Sequence, residues 1–152
     1  MATPELIQFE ADHLTMLKPR SWDMTDYKAV DVYALGKALR EGGPAWTLVT
    51  PDEIVACGGF TLIHRGVAEA WFLGGGNMGD HILTLHRWVK RLIQSTANDA
   101  KLRRIQAHVH EKHLPGIGWA LKLGFKVEAK LEQYGLDGGP VFLMAYFPNG
   151  DR

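Results

Sequence analysis

The sequence is short of three things, and each shortage excludes a class of protein. Its single cysteine, Cys57, excludes an internal disulfide framework, so we expect a small core residue in a reducing cytoplasm. Seventeen basic residues balance seventeen acidic ones, which disfavours nucleic acid or an anionic membrane as partner. No apolar run approaches the roughly 20 residues of a membrane-crossing helix. Residues 1–5 lack the basic and apolar regions of a secretory signal, so we expect a soluble cytoplasmic protein.

Apolar residues, in contrast, are plentiful and evenly spread. They make up 46% of 152 residues, enough for a chain of this length to bury a core of its own. No repeat, linker or biased segment interrupts them. The sequence therefore predicts a single domain over residues 1–152.

Apolar periodicity predicts an α+β fold with a mixed central sheet of six to seven strands and about four helices. The expected strands are residues 5–9, 45–49, 54–63, 67–73, 104–109, 125–133 and 141–147. The expected helices are residues 11–17, 24–40, 80–95 and 115–123. Turn residues join the second, third and fourth strands into an antiparallel meander. A helix separates the fourth and fifth strands, which predicts a parallel connection between them.

The end of the chain joins a helix stop at Leu123-Gly124-Phe125 to a hairpin around Asp137-Gly138-Gly139. Together with the order of elements, this resembles the C-terminal motif of the GCN5-related N-acetyltransferases (GNAT). The order of elements matches over about residues 5–147, and the residue-level match covers about 119–147. The resemblance implies a GNAT-like sheet, acetyl-CoA as cosubstrate, and transfer of the acetyl group to a primary amine by direct attack. An unrelated α+β domain with a glycine helix stop is the alternative.

The resemblance also implies where the cosubstrate lies, because in this family its pyrophosphate rests on backbone amides after the fourth strand. The implied cofactor-binding residues are Trp71, Phe72, Leu73, Gly74, Gly75, Gly76, Asn77, Met78, Gly79, Asp80 and His113. The glycines would let the backbone approach a ligand closely. The match to the family signature is poor, since Gly76 stands in place of Gln or Arg and His81 in place of a small residue.

Asp80 complicates this segment. A carboxylate about 5 Å from the phosphates would repel them by roughly 3 kcal/mol at an effective dielectric near 20. We expect Asp80 instead to cap the amides of its own helix. A plain glycine connector with an N-cap is the alternative to a phosphate site.

For the chemistry, Glu69 is the candidate base. Its neighbours at two-residue spacing are apolar, which predicts a raised carboxyl pKa. The family commonly has a tyrosine as acid four residues before the glycine of Leu-Gly-Phe, where this sequence has Ala120. Tyr134 is the candidate replacement. A Glu at the exposed rim of the sheet and a packing Tyr are the alternatives.

His108, His110 and His113 are close together in the sequence, but no further ligand stands at convincing spacing, so we expect a polar cleft lining and no metal. In the loop 18–25, Trp22 is a candidate wall of the acceptor pocket. The acceptor would be a small-molecule or peptide amine. The final hairpin leaves an edge that could pair two copies into a homodimer.

A rival interpretation comes from the weak phosphate segment and from Ala120. Small GNAT-like proteins encoded by tailed bacteriophages, among them internal virion proteins, look similar in having a weakened loop. This implies, as the alternative, a catalytically inactive structural or interaction protein located in a virion.

Overall fold

In residues 3–17 and 31–150, which the computed structural model describes, the chain forms seven strands and four α-helices. The strands are β1 Glu5–Gln8, β2 Ala45–Val49, β3 Ile54–His64, β4 Val67–Gly74, β5 Arg104–His110, β6 Lys126–Leu131 and β7 Val141–Tyr146. The helices are α1 Ala11–Met16, α2 Val32–Gly42, α3 Ile82–Asp99 and α4 Leu114–Leu123, with a 3₁₀ turn at Met78–His81 before α3. The part of the second expected helix before residue 31 lies outside the described residues.

The strands form one sheet in the order β1-β2-β3-β4-β5-β7-β6. Neighbours β1–β2, β2–β3, β5–β7 and β6–β7 run antiparallel. The ladder between β4 and β5 is parallel and runs from Val67↔Arg104 to Glu69↔Gln106. The mixed sheet and the α+β class expected from the sequence are therefore confirmed.

The described residues fall into two compact units: those of Met1–Thr61 with Trp71–Arg87, and those of Leu62–Ala70 with Trp88–Arg152. In the first unit, Phe9, Leu14, Ala45 and Cys57 form a buried cluster. Partly buried residues packed against it come from α2, β3 and β4: Val32, Leu35, Leu39, Ile54, Trp71 and Leu73. Cys57 is 1% exposed, so its expected place in the core is confirmed. The single domain expected over residues 1–152 stays a prediction.

In the second unit, β5 and β7 are antiparallel neighbours in the sheet, and residues of both strands are buried. Ile105, Met144 and Ala145 are at most 1% exposed. Gly124 ends α4 with φ at +104°, a left-handed conformation that favours glycine. The chain then enters β6 through Phe125, which is buried. The glycine stop read from the sequence thus turns the chain into the last hairpin.

Two surface features bear on partners. β1 and β6 are the edge strands of the sheet, and Val127 on β6 is exposed. Pairing of β6 with a second copy stays a prediction. Among the helices of residues 3–17 and 31–150, none has the length and apolar character required to cross a membrane.

Candidate active site

One face of β5 is polar along its whole length. Because side chains alternate between the two faces of a strand, Arg104, Gln106, His108 and His110 point to one side and Ile105 to the buried side. The polar residues form bonds with three other segments of the second unit. This face is the candidate active site.

Glu69 lies directly opposite Gln106 in the parallel ladder. Its Oε1 accepts a hydrogen bond from Gln106 Nε2 at 3.2 Å, and its Oε2 lies 2.7 Å from His108 Nδ1. The side chains of Glu69 and His108 are 31% and 20% exposed, so the pair is half-buried. Sequence periodicity placed Glu69 on a face of β4 with apolar neighbours, but it did not indicate Gln106 or His108 as a partner.

The expected rise in the Glu69 pKa is wrong. Burial does raise it, and this is the largest single effect. The hydrogen bonds from His108 and Gln106, with the charge of the His108 ring adding to them whenever that ring is protonated, outweigh burial and lower the pKa of Glu69 below its ordinary value. Glu69 is therefore an ionised carboxylate at neutral pH.

The bonds continue from Glu69 to the edge of the sheet. Arg104 donates from Nε to Gln106 Oε1 at 3.0 Å. Its other two nitrogens donate to the Glu128 carboxylate on β6 at 2.8 and 2.6 Å. We call the series Glu128–Arg104–Gln106–Glu69–His108 the polar relay. It joins side chains of three strands.

Tyr134 follows β6 and lies against the end of the polar relay. Its ring stacks on that of His108, with centroids 5.0 Å apart and planes 13° from parallel. The tyrosine is 56% exposed. The structure thus brings both candidate catalytic residues to one imidazole, Glu69 to its Nδ1 edge and Tyr134 to its face.

His110, next on the same face, has a different environment. Its Nε2 lies 3.0 Å from both carboxylate oxygens of Asp137, and its Nδ1 accepts from the Lys112 amide at 3.1 Å. A Cβ on Gly139 would lie 2.9 Å from the His110 ring, and one on Gly135 3.3 Å, so both positions favour glycine. His110 thus connects the bend at Asp137-Gly138-Gly139 to β5.

The implied cofactor segment, residues 71–80, lies in the first unit. Side chains of Trp71 and Leu73 pack on the core, and Phe72 packs over Gly58, where a Cβ would lie 3.3 Å from the ring. The side chains of these three residues therefore pack against other protein atoms. Gly74, Gly75 and Met78 are buried, whereas Gly76, Gly79 and Asp80 are exposed.

The amide of Gly75 donates to the Val55 carbonyl on β3, and the amides of Met78 and Asp80 donate to carbonyls within the segment. Among the described residues, no hydrogen bond uses the amides of Gly76 and Asn77. A Cβ added at Gly76 would meet no atom within 4 Å, and the φ of Gly76 is not left-handed, so nothing in the described chain requires glycine there. Open space next to these amides is what a closely approaching ligand needs.

Asp80 does not act as expected. The helix starts earlier, as a 3₁₀ turn with Asn77 at the cap position and no side-chain cap. Asp80 is the third residue of that turn and is exposed. The N-cap expected at Asp80 is therefore wrong, and its carboxylate faces solvent.

Two buried donors near the segment have no hydrogen-bond partner in the described chain: Trp71 Nε1 and Asn77 Nδ2. Asn77 and Gly76 also border a cavity of about 800 Å³ in the first unit. Its other lining residues come from β1, α1 and the β2–β3 turn: Ile7, His13, Met16, Val49, Thr50, Pro51, Asp52, Glu53 and Ile54. The segment thus offers an amide side chain and two backbone amides beside open space.

The remaining predicted residues are less informative. His113 stands at the cap position of α4, with its ring against Gly116, and its contact with a cofactor stays a prediction. Trp22 and the loop 18–25 lie outside the described residues. Within residues 3–17 and 31–150, no group of three His, Cys, Asp or Glu side chains is placed to hold a metal ion.

Comparisons with known proteins identify the architecture. No family model and no curated protein sequence matches the chain. Solved structures match it over nearly their whole length. A chimera of spermidine N-acetyltransferase SpeG from Vibrio cholerae and hSSAT has 13% identity, covers 96% of each chain, and has a TM-score of 0.76. Ard1 from Thermoplasma volcanium has 13% identity, covers 95% of this chain and 97% of its own, and has a TM-score of 0.78.

A third match is yncA from Salmonella typhimurium with its cofactor acetyl-CoA. It has 15% identity, covers 97% of this chain and 95% of its own, and has a TM-score of 0.69. At such identities the likeness establishes the fold alone. That fold is the one of the GCN5-related N-acetyltransferases, as the sequence resemblance implied.

Sequence reasoning missed Arg104 and Gln106, and it expected His108 to line a polar cleft without giving it a chemical role. A signal was available, because polar residues alternate strictly with apolar ones from 104 to 110. Such alternation marks one polar face of a strand. It does not say which partner each residue has.

Proposed function

We propose that the protein is an acetyl-CoA-dependent N-acetyltransferase that acts on a primary amine by direct attack. The observation that supports this most is the half-buried Glu69–His108 pair, held at the end of the β4–β5 ladder in an acetyltransferase fold. A base is what an ammonium acceptor needs before its nitrogen can attack. The comparison with yncA and its cofactor supports acetyl-CoA as cosubstrate, and the spermidine N-acetyltransferase chimera supports an amine acceptor.

The residues of the implied cofactor segment fit a diphosphate. The amides of Gly76 and Asn77 and the buried Asn77 Nδ2 are donors without partners in the described chain, and a Cβ added at Gly76 would meet no atom within 4 Å. Backbone amides before a helix favour anions. The exposed Asp80 carboxylate opposes them, so we expect binding that is weaker than an uncharged residue there would allow.

Acetyl-CoA would supply the activated acetyl group as a thioester. The Glu69–His108 pair would remove a proton from the acceptor amine. Tyr134, whose ring lies on His108, is the proposed acid for the leaving thiolate. The acceptor itself is proposed only as a small-molecule or peptide amine.

The rival function is a structural or interaction protein of the same fold without catalysis, which Ala120 and Asp80 favour. Calorimetric titration with coenzyme A and acetyl-CoA separates the two. Binding in the micromolar range, followed by thiol release with at least one member of an amine panel, is the expected result. No heat at millimolar ligand would favour the structural protein.

A further inference from the structure

The polar relay fixes the direction of each of its hydrogen bonds, beginning from Arg104. A guanidinium only donates, so the Gln106 atom that faces Arg104 must be its carbonyl oxygen. The amide nitrogen of Gln106 therefore faces Glu69 and donates to Oε1. The orientation of one side chain thus decides the orientation of the next.

Glu69 continues the sequence. Its lowered pKa keeps it ionised, and an ionised carboxylate only accepts hydrogen bonds. His108 must therefore donate from Nδ1 to Oε2 across the 2.7 Å contact. A neutral imidazole with its hydrogen on Nδ1 has its lone pair on Nε2.

We propose that His108 Nε2, and not an oxygen of Glu69, is the atom that takes the proton from the acceptor amine. Glu69, Gln106 and Arg104 are positioning residues that hold the imidazole in the tautomer this requires. The assignment rests on the proposed function and deepens it. Nε2 has no hydrogen-bond partner in the described chain, whereas both oxygens of Glu69 have one.

The proton balance is simple. The acceptor's ammonium gives one proton to His108 Nε2, which frees the nitrogen lone pair. That lone pair forms the C–N bond to the thioester carbon while the C–S bond breaks. Tyr134 gives its proton to the leaving thiolate and regains one from the second proton that the nitrogen loses, and His108 returns its own proton to solvent.

The surroundings of His108 suit this role. Glu69 contacts the imidazole on its Nδ1 side, and the Tyr134 ring stacks on one of its faces. The same two contacts hold the ring in one orientation. The His108 side chain is 20% exposed, so part of it is in contact with solvent.

Nitrogen-15 NMR of the imidazoles tests the relay without any ligand. In wild-type protein we expect His108 as the Nδ1–H tautomer. In Glu69→Gln, Gln106 still requires the oxygen of residue 69, so the new amide nitrogen faces His108 Nδ1 and the tautomer should change to Nε2–H. The exposed His64 serves as the internal control and should not change. An Nε2–H tautomer in wild-type protein, or no change in the variant, would overturn the proposal.

Kinetics test the proton transfer. We expect His108→Gln to lower kcat by about 10²- to 10⁴-fold, the usual range for a general base, with KM for acetyl-CoA within about 3-fold of wild type. The loss should shrink at high pH, where solvent deprotonates the amine. His108→Ala should recover activity with added imidazole, and His64→Gln should match wild type.

The outcomes of the two proposals differ. Active wild-type protein together with an equally active His108→Gln overturns the role of His108 and leaves the proposed function standing. Glu69→Ala that loses more activity than His108→Ala also overturns it, in favour of Glu69 as the base. Wild-type protein that binds no acetyl-CoA and acetylates no amine overturns the proposed function, and the proton assignment with it.

Discussion

Gly76→Asp is the sharpest test of where the phosphates bind. Position 76 is exposed, its φ is not left-handed, and an added Cβ meets nothing within 4 Å. Substitution there should change the free energy of unfolding by no more than about 0.5 kcal/mol. Any effect on ligand affinity is therefore separable from an effect on folding.

The magnitude follows from Coulomb's law. An aspartate carboxylate lies about 5 Å from an anion bound at its own backbone amide, so one phosphate charge is repelled by about 1 kcal/mol at the dielectric of water and about 3 kcal/mol at an effective value near 20. Those limits correspond to about 5- and 150-fold weaker binding. Because position 76 is exposed, salt should reduce the effect.

The assay compares Gly76→Asp with Gly76→Asn, which has nearly the same shape without the charge. Coenzyme A affinity is measured by calorimetry at low and at physiological salt, with thermal melts of each variant. We expect weaker binding for the aspartate alone, and a smaller difference at higher salt. Equal affinities for the two variants would refute a phosphate site at this segment.

Four further predictions concern other parts of the molecule. Asp80→Asn removes an exposed carboxylate that caps nothing, so coenzyme A should bind about 2- to 10-fold tighter by calorimetry; unchanged affinity would place the phosphates elsewhere. A Cβ on Gly59 would lie 2.5 Å from Ala45 Cβ, so Gly59→Ala should lower the free energy of unfolding in urea by about 1–3 kcal/mol; a wild-type value would contradict the β2–β3 packing. Burial raises the pKa of the Cys57 thiol to about 11, so mass spectrometry should find it unalkylated by iodoacetamide in native protein at pH 8 and alkylated after unfolding. The folded pKa of Glu69 is lowered, so its stabilisation is present above its unfolded pKa of about 4.3 and is lost as pH falls through the folded pKa; Glu69→Gln should make the urea midpoint less dependent on pH there, and an unaltered dependence would contradict the lowered pKa.

Much of the fold could be predicted because its signals are local. The left-handed stop at Gly124 and the alternation along β5 are each contained within a few residues. The strand bounds agree with the periodicity to within two residues at most ends. Apolar spacing decides such elements before any long-range contact forms.

The polar relay could not be predicted, because it depends on register. The contact between Glu69 and His108 joins residues 39 apart in the sequence, and it exists because Glu69 pairs with Gln106 in the parallel ladder. A shift by one residue would turn His108 to the other face of the sheet. The pKa direction was wrong for the same reason, since the apolar neighbours along β4 were visible in the sequence and the donors across from it were not.

Asp80 shows a different limit. An aspartate before an apolar-periodic segment is a good N-cap signal, but the chain enters this helix through a 3₁₀ turn that starts at Met78. The turn satisfies its own amides by shorter-range bonds, so the cap position moves to Asn77. The preference of Asp80 for a cap position therefore did not decide where the helix begins, because the 3₁₀ turn after the glycine segment begins before it.

The two histidines on the polar face of β5 bear on whether the fold is used for catalysis. A half-buried pair of polar side chains contributes little to stability, and apolar residues of similar volume often replace even a buried ion pair without loss. His110 has the arrangement expected of a purely structural residue, because Asp137 and the Lys112 amide engage both of its ring nitrogens. Among the described residues, the relay at His108 engages only Nδ1. The proposed catalytic role of His108 depends on that difference between the two histidines, so exchanging each for Gln should affect turnover at position 108 in a way that a merely structural histidine would not.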